Sequence, residues 1–151
     1  SAFVLLPLAV IAVTGLLLIA LLAPPGSLQQ VQAEPKLEKR AELAIEYAGV
    51  AMARARRIVV ESGSITELSD SLQQIGESCQ LAIDSLLQTG KRPNKLDKQY
   101  KRAELRTRSL ASELTDLVAV LPIENREDAV KVLKHIQSLH EEFLLGVMGG
   151  K

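Results

Sequence analysis

Gly63-Ser64-Ile65-Thr66-Glu67-Leu68 is the stretch on which the fold of this chain turns. Glycine ends a helix at little steric cost. Ser64 followed three residues later by Glu67 is a capping box: the hydroxyl accepts from the third helical N–H and the carboxylate reaches back to the cap N–H. Leu68 then opens an apolar series with helical spacing. The same punctuation recurs twice. Gly90 precedes Asn94-Lys95-Leu96-Asp97, with Asn94 as the cap. Pro122 precedes Asn125-Arg126-Glu127-Asp128, which sets acids in a first turn, where the helix dipole favours them. Gly146, Gly149 and Gly150 close the series. The spacing predicts helices over 36–62, 65–89, 95–121 and 126–146.

The apolar residues between these joints agree. Leu37, Ala41, Ala44, Ala48, Ala51, Ala55 and Ile58 form one seam, and Leu68, Leu72, Ile75, Cys79, Ala82 and Leu86 a second. Leu96, Tyr100, Ala103, Thr107, Leu110, Leu114, Leu117 and Leu121 form a third, and Ala129, Leu133, Ile136, His140, Phe143 and Val147 a fourth. Each steps by alternating fours and threes, the seam of left-handed supercoiled packing. Joints this short imply an all-α, antiparallel up-down-up-down four-helix bundle over 34–147, followed by a flexible tail, 148–151. Charge suggests which helices pair. Residues 58–90 hold five acids and no base, whereas 91–108 hold eight bases and two acids, so the second and third helices are expected to face each other.

Whole-chain averages conceal a division. The 151 residues are 47% hydrophobic, with one Cys, no Trp and a formal net charge of zero. That excludes a disordered chain, an intramolecular disulfide framework and a Cys-clustered metal site. It also gives no argument for nucleic acid. Yet residues 1–33 contain no charged side chain. Ala2 to Ala23 is apolar apart from Pro7, Thr14 and Gly15, and as a helix would span about 33 Å, enough to cross a hydrocarbon core of about 30 Å. Pro24-Pro25-Gly26 stops it. A hydrophobic helix therefore precedes the bundle, and 1–33 is either a signal peptide, cleaved after the small-x-small site Val31-Gln32-Ala33, or a membrane anchor with a linker. The expected location is exported, periplasmic or extracellular, or anchored at an inner membrane through residues 2–23. Lys36, Lys39 and Arg40 would favour a cytoplasmic bundle for a retained anchor.

Lys36 to Leu43 and Lys98 to Leu105 share six of eight residues, and the capping boxes at 64 and 125 stand 61 apart. A duplicated helical hairpin explains both, as does convergence, since Ala, Glu, Lys, Arg and Leu dominate any amphipathic helix.

Two groups of residues are candidates for a site. Reflection through the turns places Ala48, Cys79, Thr107 and His140 in one core layer, give or take a helical turn. The plain reading is a register-fixing polar layer in which Thr107 or a backbone carbonyl satisfies His140. The sharper reading is a small-ligand or metal pocket, for which two strong ligands are too few. The second group is Lys91, Arg92, Lys95, Lys98, Arg102 and Arg106, a basic patch suited to anionic lipid or an acidic partner, or to pairing with the acidic second helix. Glu-x-x-His, Cys-x-x-Cys-His and Gly-x-Ser-x-Gly are absent from the sequence. The expectation is a non-catalytic interaction or scaffold module that binds a protein or a membrane surface, with no cofactor and no nucleic-acid partner. A ligand- or metal-binding bundle is the alternative reading, and an enzyme the third.

Overall fold

Ser64 caps a helix as its spacing requires, its Oγ accepting from Glu67 N at 3.4 Å. The computed structural model describes residues 25–149, and among these the chain is a helical bundle without strands. A short helix, α1 (Leu28–Gln32), precedes four long ones: α2 (Leu37–Val60), α3 (Ile65–Gln88), α4 (Asp97–Val120) and α5 (Arg126–Val147). The apolar stretch Ala2–Ala23, with the signal-peptide and anchor readings that fall on it, lies outside the described residues. No helix among the described residues is long and apolar enough to cross a membrane.

The alternating seams form the core. All the expected residues of α3 and α4 are buried, together with Leu96 and Leu121 beside α4. On α2 Leu37 is half-buried and the rest are buried. On α5 Ala129, Ile136 and Phe143 are buried, Leu133 and His140 are half-buried, and Val147 is exposed. The alanines of α2 let it lie close along α3, and α4 lies likewise along α5. Tyr100 and Phe143 meet edge-on, with ring centroids 6.0 Å apart. Gly146 lies against the Tyr100 ring, leaving no room for a Cβ. It is thus a packing residue inside α5 and not the terminator its sequence position suggests.

The expected facing of the second and third helices is overturned. Acidic α3 and basic α4 scarcely touch, while α2 packs beside α4 and α3 beside α5. Residues 89–96, at about 3.3 Å each, are long enough to cross the end of the molecule, where Leu96 is buried as an anchor. Opposite charge still pairs, with different partners. Lys91 Nζ meets Glu38 Oε1 at 2.6 Å, Arg102 meets Glu46 at 3.4 Å and Arg56 meets Glu113 at 2.8 Å, all bridging to α2.

Two of the three expected caps do not form. The 3-10 turns Pro93–Lys95 and Ile123–Asn125 lead into α4 and α5. The cap positions are Leu96 and Asn125, at ψ 30 and 4, and neither makes a side-chain cap bond. An N-cap side chain reaches its amide from extended backbone, which Ser64 has at ψ 135. The polar linker also proves partly structured. Ser27 caps α1, and Val31 of the suggested cleavage site is fully buried in the core. Arg40 Nε holds this joint by donating to the Glu34 carbonyl at 2.8 Å.

Candidate functional site

Thr107 and His140 turn to different partners, and Cys79 hydrogen-bonds to neither. Cys79 is fully buried, and burial pushes its thiol up to about 12, opposed more weakly by Arg106. It is therefore a protonated, apolar-like core residue. Thr107 Oγ1 donates to its own helix, to the carbonyls of Ala103 at 2.8 Å and Glu104 at 3.1 Å. His140 does not meet Thr107. Its Nε2 donates to Glu104 Oε1 at 3.2 Å. The short Thr107 hydroxyl back-bonds to its own helix, whereas the longer Glu104 side chain, one turn earlier, reaches across to His140.

Glu104 is the residue that sequence reasoning missed. It is 4% exposed, yet it lies beside seam residue Ala103 and reads as ordinary helix surface. Its carboxylate also accepts from Arg108, one turn on. Burial pushes this carboxyl up, but the hydrogen bonds from Arg108 and His140 outweigh that and leave it below its ordinary 4.5. The cluster is a paired, buried carboxylate tying α4 to α5. Its available signal was the i, i+4 pair Glu104 and Arg108 one turn from the layer residue Thr107. Among the described residues no three His, Cys, Asp or Glu side chains gather to hold a metal.

A second polar cluster joins α3 to α5. His135 lies across Gly76, where a Cβ would stand 3.1 Å from Nδ1, and its Nε2 is 2.9 Å from Gln80 Oε1. The adjoining groove, about 500 Å³, is flanked by Gln32, Glu77 and Asp84. The amides of Gln73 and Gln80 already donate to Glu77 and Asp84, at 2.7 and 2.9 Å.

The basic patch divides in two. Lys91 and Arg102 are held by Glu38 and Glu46 of α2, and the Arg106 guanidinium packs over Gly49. Arg92, Lys95 and Lys98 are exposed and form no ion pair among the described residues. The carboxylates that pair with two of the six bases, Glu38 and Glu46, therefore come from α2, not from α3. What remains free is a cationic corner at the turn before α4, beside the start of α2. Exposed Leu87, Leu145 and Met148 belong to the ends of α3 and α5, which lead to the same turn and to the chain terminus. No family model, curated protein or solved structure matches this chain.

Proposed function

We propose that this chain is a non-catalytic, membrane-anchored interaction module whose basic end rests on anionic lipid headgroups. It is an up-down-up-down four-helix bundle with antiparallel hairpins α2–α3 and α4–α5, packed so that α2 and α4, and α3 and α5, are parallel neighbours. The topology is supported by side-chain pairs. Along α2 and α4, partners advance together from Glu38 with Lys91 to Arg56 with Glu113. Along α3 and α5 they advance from Ser69 with Asp128 to Gln80 with His135. Within α4 and α5 they run oppositely, Tyr100 with Phe143 and Glu104 with His140.

The observation that carries the functional reading is the Lys91–Glu38 ion pair. It sets the turn before α4 against the start of α2, the first long helix to follow the apolar segment Ala2–Ala23 in the sequence. Residues 91–102 bring six bases against Asp97 alone to that end of α2. A Lys or Arg at an anionic leaflet contributes about 1 kcal/mol, and the exposed Leu87, Leu145 and Met148 add apolar contact at the interface. The buried Val31 supports a retained anchor, since cleavage after Ala33 removes that side chain from the core.

The test is amide hydrogen exchange of residues 91–99 in the full chain, reconstituted into neutral vesicles and into vesicles containing phosphatidylglycerol. Slower exchange with the anionic lipid, reversed by high salt and abolished by Lys95→Glu with Lys98→Glu, is the expected result. Identical exchange in both vesicles refutes the reading.

A further inference from the structure

The end of the molecule away from Lys95 is apolar and acidic at once. Val60 (84% exposed), Ile65, Val120 and Ile123 (80% exposed) project at the joints between α2 and α3 and between α4 and α5. The Arg56–Glu113 ion pair and the Ser69–Asp128 hydrogen bond bring those joints to one end. Val60 and Val120 flank a cavity of about 270 Å³ that Val59 and Leu117 also line. Nothing in the fold requires four β-branched aliphatic residues at solvent-facing helix ends, where polar residues form the better caps. The surrounding charge is net acidic. Residues 54–70 and 113–128 carry eight acids and four bases, of which Arg56 is held by Glu113, Arg54 donates to Gln74 Oε1 at 3.2 Å and Arg126 donates its Nε to the Leu121 carbonyl at 2.7 Å. Glu61, Asp116 and Glu124 form no ion pair among the described residues.

We propose that this tip docks a basic amphipathic segment of a partner protein, with aliphatic side chains entering between Val60 and Val120 and Lys or Arg meeting Glu61, Asp116 and Glu124. Charge complementarity selects this occupant. An anionic membrane is repelled by the acidic rim, and a second copy meeting tip to tip brings like charges together. The inference rests on the membrane-facing reading of the opposite end only for its orientation, the tip pointing away from the bilayer.

The test uses the full chain in nanodiscs of neutral lipid, with a synthetic Leu/Lys amphipathic helix carrying a photocrosslinker as the probe. A Leu/Glu helix and empty nanodiscs serve as controls. Crosslinks mapped by mass spectrometry are expected within 58–65 and 116–124. They should fall about tenfold in a Val60→Ser, Val120→Ser variant, persist in a Leu87→Ser, Leu145→Ser variant, and be missing with the Leu/Glu helix. Both tip positions are exposed, so unchanged helicity of the variant is expected and is checked by circular dichroism. Crosslinks at the Leu87 end, equal labelling by the Leu/Glu helix, an unaffected tip variant, or chain-to-chain crosslinks at Val60 overturn the proposal. Lys95→Glu with Lys98→Glu leaves tip crosslinking unchanged, which separates this result from the lipid test.

Discussion

Ser62 holds a left-handed backbone, φ 51, at the end of α2. Gly63 N donates to the Ile58 carbonyl at 2.8 Å and Ser62 N to that of Val59 at 3.2 Å, the paired bonds of a Schellman ending. The left-handed position is thus Ser62, one residue before the glycine that marks the joint in the sequence. Gly63 answers a different need, because a Cβ there would stand 3.1 Å from Ile58 Cγ2. Ser62→Gly is expected to stabilise the fold by about 1 kcal/mol, read as a higher urea midpoint; a lower midpoint contradicts this backbone account. Glu104 sets a pH dependence. Its carboxyl lies below 4.5 when folded, so the folded chain binds fewer protons than the unfolded one as acid is added. The resulting stability is present above about pH 4.5 and is lost as pH falls through the lowered folded value. Glu104→Gln should therefore lower stability at neutral pH and flatten its decline in acid. Parallel acid limbs for the two proteins, in urea unfolding at a series of pH values, would show that Glu104 is not the source.

At the scale of elements, the long helices were legible because burial repeats every three or four residues, and the seam from Leu68 to Leu86 is buried throughout. Which helices neighbour one another was not. The opposite charges of 58–90 and 91–108 argued for adjacent α3 and α4, but exposed charges are satisfied by whichever carboxylate is near, and Glu38 and Glu46 are nearer. Local side-chain chemistry also hid the site. Glu104, one turn from Thr107, could not be told from a solvated glutamate until α5 was laid across it. The short α1 was illegible for a related reason: it offers one buried apolar residue, Val31, and so has no period to detect. That single anchor makes α1 testable. Val31→Ala should cost about 2 kcal/mol and speed amide exchange across residues 28–33, with little change at α5. Unchanged exchange there would mean that α1 is held by something other than Val31.

At the scale of the whole molecule, a net charge of zero conceals two unlike ends. One gathers Arg92, Lys95 and Lys98 beside the start of α2. The other carries Val60, Val120 and Ile123 within an acidic rim. Helices of 24 residues at 1.5 Å per residue hold these ends about 35 Å apart, so a bilayer touching one leaves the other in water. Nitroxide labels introduced singly by Lys95→Cys and Ile123→Cys into the full chain in anionic vesicles measure this directly. Buried Cys79, its thiol pushed to about 12, is expected to remain unlabelled in the folded protein. Power-saturation depth measurement should place the label at position 95 among the headgroups and the label at 123 wholly in the aqueous phase; position 123 at the headgroups, or both labels equally far from the lipid, would contradict the account.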